Sequence, residues 1–152
     1  MPDNWLPLTH VKQSRRGTCL SACARMVLLV LGDDVSEDQR ARLFDTEWYG
    51  TPASRIQRLT RRGYLTIYEQ ITLEQLQHDL LQKIPLIIFL RTGDLPGWQE
   101  DVAHAVVLVG LTANTAIIHD PVREAGPDEV NLDAFLLGWS EMDYYCATIA
   151  RA

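Results

Sequence analysis

A chain of 152 residues that is 47% apolar and 22% charged has the composition of a globular protein, long enough to bury roughly 70% of its unfolded surface in a single domain, residues 1–152. Its net charge of −6 argues against nucleic-acid binding, which needs a basic face. Residues 1–7 lack a signal peptide's basic start and apolar core, and the longest apolar runs (26–31, 85–90, 105–111) are too short to span a bilayer. A cytoplasmic chain with no membrane insertion is therefore expected.

Cys19 opens an apolar stretch that reads as a helix over 19–31, with Thr18 as its cap and Gly32 as its stop. Ser36 with Gln39 forms a capping box for a second helix to about residue 44. Thr51-Pro52 opens a third over 53–62, ended by Gly63. Along it, Arg55, Arg58, Arg61 and Arg62 sit at helical spacing and read as a solvated face. Residues 64–68 alternate as a strand, and Thr72 with Gln75 caps a fourth helix over 73–82.

The remainder reads mostly as sheet. Residues 86–91, 104–111 and 115–119 are strand candidates, the last two joined by a tight Thr112-Ala113-Asn114 turn. Residues 120–130 read as a Pro-, Gly- and charge-rich loop. Asn131 caps a short helix over 132–138, and 144–149 closes as a strand. Helices first and an antiparallel sheet second make an α+β pattern.

Chemistry concentrates at Cys19. A thiol in the first turn of a helix meets unpaired N–H groups and the positive end of the macrodipole, which favour the nucleophilic thiolate. Cys23, one turn later, has no such groups and reads as core, as does Cys146. Three cysteines, an odd number, fit a reducing compartment better than a disulfide framework. His104 opens an apolar strand, and Asp120 ends the partner strand of its hairpin. An antiparallel hairpin sets the start of one strand beside the end of the other, so the two side chains are expected together. His119 points to the opposite face and is the weaker base candidate; His10 and His78 have no supporting context. Gln13, upstream of Cys19, carries an amide N–H suited to an oxyanion. Trp98, just before His104, either walls a cleft or pins its loop. A zinc site would need Cys19, Cys23, His104 and His119 to converge. Their spacing is not that of a zinc motif, so neither metal nor cofactor is expected.

Gln13, five residues, then Cys19 opening a helix, with His104 at a strand start and Asp120-Pro121 after the next strand, resembles the papain-like cysteine peptidases of the bacteriocin-processing type, which cut leader peptides after a double glycine. The resemblance runs from about residue 7 to the C-terminus. It implies a papain-like fold, N-terminal helices packed on a C-terminal antiparallel sheet. It also implies a catalytic set of Cys19, His104, Asp120 and Gln13, and a peptide or protein substrate. Its cleft would be lined by the loop before Cys19, by the Tyr49 and Thr51 segment, and by the loop bearing Trp98. Thr18 and Leu20 stand where the family usually has Asp and Gly, a change expected to alter the lining around the nucleophile. Two other readings use the same residues: a peptide-binding module without catalysis, and a thiol-dependent amidase or acyltransferase, which would pass through the same thioester.

Overall fold

The computed structural model describes residues 5–152. Four α-helices, a 3₁₀ helix and six strands build an α+β fold of the papain-like kind. The first helix, α1 (Cys19–Val30), is buried along most of its length, from Leu20 to Leu28. Helix α2 (Glu37–Leu43) begins on a formed capping box, Ser36 Oγ accepting the Gln39 N–H at 3.2 Å. A second box, Thr72 with Gln75, starts α3 (Leu73–Leu81). Helix α4 (Leu132–Ser140) is capped by Asn131 Oδ1, which accepts the Ala134 N–H at 3.0 Å.

Residues Ala53–Arg62 wind as a 3₁₀ helix rather than an α-helix. Its two buried residues, Ile56 and Leu59, are three apart, the period that brings side chains into line on a 3₁₀ helix. Half of its arginines are not a solvated face. Arg55 donates to the carbonyls of Phe44 and Asp45, and Arg58 to that of Leu43. Both close the open carbonyl end of α2, which sequence spacing does not reveal.

The strands are β1 (Tyr64–Gln70), β2 (Leu86–Arg91), β3 (Ala103–Leu111), β4 (Thr115–His119), β5 (Asp128–Asn131) and β6 (Tyr145–Arg151). They form one antiparallel sheet in the order β1-β6-β2-β3-β4-β5. Strand β5 replaces the end of the expected 120–130 loop. It is a charged edge of four residues with only Val130 buried, too short to show alternation.

Both faces of the sheet are covered. Helices α1 and α2, the 3₁₀ helix and the N-terminal segment pack on one face, through residues such as Leu20, Phe44 and Ile56 against Phe89, Val107 and Ile117. Helices α3 and α4 cover the other, with Leu76, Phe135 and Trp139 against Ile88, Val106 and Ile118. Strands β2 and β3 lie between, which is why they read as unbroken apolar runs.

The β3–β4 pairing shifts by one residue between Leu108 and Gly110, a bulge at Val109. Beyond it Val107 pairs with His119, so His104 and Asp120 emerge at the same end of the sheet. No helix among the described residues is long and apolar enough to cross a membrane.

Candidate active site

The polar chain at the end of β3 and β4 starts from Asp120, the first residue after β4. The residue is 3% exposed. Its Oδ1 accepts from His104 Nε2 at 2.8 Å and from the Val122 N–H at 3.1 Å, and its Oδ2 from Trp98 Nε1 at 3.0 Å. Burial works against its charge, but the His104 bond, the Val122 N–H and the indole N–H outweigh it and hold the carboxyl below its ordinary range.

With Nε2 engaged by the carboxylate, the free nitrogen of His104 is Nδ1. The Cys19 thiol lies beside the imidazole, close enough for each group to shift the other's pKa. Burial alone would lower the pKa of His104. The bond to Asp120 and the neighbouring Cys19, with their charges, raise it to about 9. The thiol mirrors this. Burial would raise Cys19, but His104 and the N–H groups of Ala105 and Leu20 bring it below its ordinary value. Such a pair can exist as thiolate and imidazolium near neutral pH. Cys23, on the same helix, is pushed well up by burial and by the charges of Cys19 and Asp120. Cys146 is raised to about 12 by burial and nearby carboxylates.

Thr18 does not cap α1 with its side chain. Its hydroxyl donates to the Arg15 carbonyl at 2.8 Å, so it takes no first-turn N–H of α1. The Leu20 N–H, in that first turn, helps to lower the thiol's pKa. Thr18 and Leu20 are 1% and 2% exposed. Leu20 packs into the core, and Thr18 is buried with its hydroxyl on the Arg15 carbonyl.

Gln13 lies beside Asp120-Pro121: its backbone N–H donates to the Pro121 carbonyl at 2.7 Å. Its Nε2 donates to the Arg15 carbonyl at 3.0 Å, which leaves the second amide N–H. The loop between Gln13 and Cys19 is held on its far side by α2. The Ser14 N–H donates to both carboxylate oxygens of the buried Glu37, each at 3.0 Å, and Arg15 pairs with Asp38 at 2.7 Å. Nothing in the sequence marked Glu37 beyond its place after a cap.

Gly17 has φ +89°, and a Cβ there would lie 2.9 Å from the carbonyls of Glu47 and Trp48. Only glycine allows the loop before Cys19 to lie so close to that turn. Trp48 and Tyr49 therefore stand beside the nucleophile loop, 76% and 67% exposed. Thr51 does not project similarly: its hydroxyl bonds Thr46 at 2.6 Å at the base of the turn. Trp98 is tied to the residues beside it by its own ring. Its indole pins Asp120, and its ring lies over His104, centroids 4.7 Å apart.

His119 is turned away from this chain and pairs with His10, Nδ1 to Nδ1 at 2.9 Å. Burial and the His10 charge lower it to about 4. Among the described residues no three His, Cys, Asp or Glu side chains are grouped to hold a metal.

A family model described as the peptidase C39 family matches residues 8–149. The comparison with curated proteins gives no match. Among solved structures, the chain resembles a C39-like peptidase from Bacillus anthracis, with a TM-score of 0.76 at 14% identity, covering 96% of this chain and 98% of that one. It also resembles the peptidase domain of Streptococcus ComA, a bifunctional ABC transporter of a quorum-sensing pathway (TM-score 0.75, 19% identity, 95% and 98% covered). A third is a double-glycine-motif protease from an AMS/PCAT transporter, solved in complex with a leader peptide (TM-score 0.76, 18% identity, 100% and 97% covered).

Proposed function

The chain belongs to the peptidase C39 family, and from that premise we propose that it hydrolyses peptide bonds with Cys19 as nucleophile. The observation that supports this reading is the buried His104–Asp120 hydrogen bond beside Cys19, where the thiol is lowered and the imidazole raised.

In this reading the Cys19 thiolate attacks the scissile carbonyl carbon. The carbonyl oxygen takes the negative charge and is met by the second N–H of Gln13 and by a backbone N–H at the start of α1. The His104 imidazolium gives its Nδ1 proton to the leaving amine as the C–N bond breaks, leaving a thioester. His104 then takes a proton from water, whose oxygen displaces the sulfur and releases the acid. Asp120 keeps Nε2 protonated, so that Nδ1 always faces the reaction.

The substrate proposed is an extended peptide with a small residue before the scissile bond. One of the similar structures is a double-glycine-motif protease solved with a leader peptide, and the likeness covers the whole of this chain. The flanking Thr18 and Leu20 are both buried and present little surface to a substrate.

A peptide library digested by the native chain and by Cys19→Ala, read by mass spectrometry, tests the whole reading. Cleavage after glycine or alanine by the native chain alone is expected, with iodoacetamide labelling lost in the variant. Cleavage after bulky or charged residues would refute the substrate class. Labelling that persists at Cys23 in the variant would refute the nucleophile. Tight binding without cleavage would identify a peptide-binding module, and cleavage products joined to an added amine an acyltransferase.

A further inference from the structure

The N-terminal segment reaches the site by running across the sheet. The Leu6 N–H donates to the Val109 carbonyl at 2.9 Å, and Trp5, Leu6, Leu8 and Val11 pack on the α1 side of the core. Where it passes the end of β4 it is cross-linked to the turn that follows Asp120. His10 Nε2 bonds the Arg123 carbonyl at 2.8 Å, Lys12 pairs with Glu124, and Gln13 N–H reaches the Pro121 carbonyl. The Lys12–Glu124 pair is exposed on both sides, whereas His10 is half-buried against the fully buried His119.

The protons of this histidine pair follow from one carbonyl. The Arg123 oxygen can only accept, so His10 Nε2 carries a hydrogen. When His10 carries no charge its Nδ1 is bare, and the facing Nδ1 of His119 is then the donor. That leaves His119 Nε2 as an unprotonated lone pair in a buried position without a partner. A proton added there would be buried and unmet, consistent with the lowering of His119 to about 4. The backbone of Gly126 closes over both rings. A Cβ there would lie 2.7 Å from His10 Nδ1 and 2.9 Å from His119 Nδ1.

We propose that His10 is a positioning residue, which through His119 and the Arg123 carbonyl clamps the arm bearing Gln13 to the turn bearing Asp120. It thereby sets the oxyanion donor and the triad carboxylate at one mutual distance. This rests on the catalytic reading above. The other charged groups around the pair are otherwise engaged: Lys12 with Glu124, the Arg123 guanidinium with the Pro96 carbonyl, and Asp120 with His104 on the opposite face of the strand.

The test compares the native chain with His10→Leu and His10→Gln. Peptide turnover is measured per titrated Cys19, alongside the pH profile of Cys19 alkylation. In His10→Leu, kcat should fall about 10- to 100-fold with little change in KM, the scale of a small misplacement of catalytic groups. The acid limb of alkylation should move to higher pH, because a loosened Asp120 holds the imidazolium less firmly. His10→Gln, whose amide N–H can meet the Arg123 carbonyl, should recover much of both. A purely structural role would lower the number of titratable sites but leave turnover per site and the pH profile unchanged, and that result would overturn the proposal. Imidazole ¹⁵N spectra of the native chain decide the matter if His10→Leu does not fold. Protected Nε2–H on His10 and Nδ1–H on His119 are expected, and the reverse tautomers or a freely exchanging His10 would overturn it. Native Cys19 that alkylates no faster below pH 8 than an ordinary thiol would instead refute the catalytic reading, while the tautomer measurement would still stand.

Discussion

The two sides of the cleft are built differently. On the sheet side, His104 and Asp120 come from two paired strands, and the ladder that aligns the strands also aligns the side chains. Trp98 and the Val122 N–H only complete the carboxylate's hydrogen bonds. On the helix side, Cys19 follows a loop with no ladder of its own. Contacts from three separate places hold that loop: the Pro121 carbonyl, the Glu37 carboxylate and the turn pressed against Gly17. A lost contact on the sheet side should change the protons of the site. A lost contact on the helix side should change its geometry and leave the protons alone.

The largest effect that would test this division is Asp120→Asn. An amide can keep the hydrogen bond but not the charge, so turnover should fall on the order of 10⁴-fold. The pH profile carries the sign. In the native chain, activity should fall in acid as the Cys19 thiolate gains a proton, at a pH below the thiol's ordinary value. It should fall again as pH rises through about 9, where His104 loses its proton. Without the carboxylate the raised His104 comes down, so the alkaline limb should move toward neutral pH. A limb that stays near 9 in the pH dependence of kcat/KM would mean that something other than Asp120 raises the imidazole.

A smaller effect of the other kind is expected from Glu37→Ala. The Ser14 N–H would lose both carboxylate acceptors, and a hydrogen bond to a charged group contributes about 1.5–3 kcal/mol, readable by denaturant unfolding. Peptide turnover should fall because the Gln13 arm shifts. Alkylation of Cys19 should not, since displacement of iodide places no charge on a carbonyl oxygen and needs no oxyanion donor. An alkylation profile that moves with turnover would show that the two sides are not separable.

The same division explains what could be read from the sequence. Hairpin geometry alone brings His104 and Asp120 together, because strand pairing converts chain distance into spatial distance by a simple rule. The capping boxes at Ser36 and Thr72 were equally legible, being contained within four residues. Supports outside the strand ladder follow no such rule, whether Glu37, which holds the helix side, or His10, which bridges the two sides. Glu37 reaches Ser14 across 23 positions, and His10 reaches His119 across 109. Neither residue has neighbours that betray its partner. Thr18 shows a related failure, since a threonine before a helix is a good cap unless a closer acceptor is available, and the Arg15 carbonyl is one. Strand β5 was hidden because an edge with one buried residue has no pattern to show.

The smallest expected effect lies at the rim, where the two sides meet. Arg16, from the loop before Cys19, approaches Glu100, from the loop before His104, to 3.9 Å, with side chains 77% and 67% exposed. An exposed pair at that distance contributes about 0–1 kcal/mol and is screened by salt. A peptide entering between the loops would pass this pair, so Glu100→Gln should change KM rather than kcat. The change should be below about threefold, within the energy of such a pair, and should fade as salt is added. Steady-state kinetics at low and high ionic strength make the measurement. A tenfold change in kcat that survives high salt would mean that the rim transmits strain between the halves. The sheet and helix sides would then have to be treated as one mechanical unit.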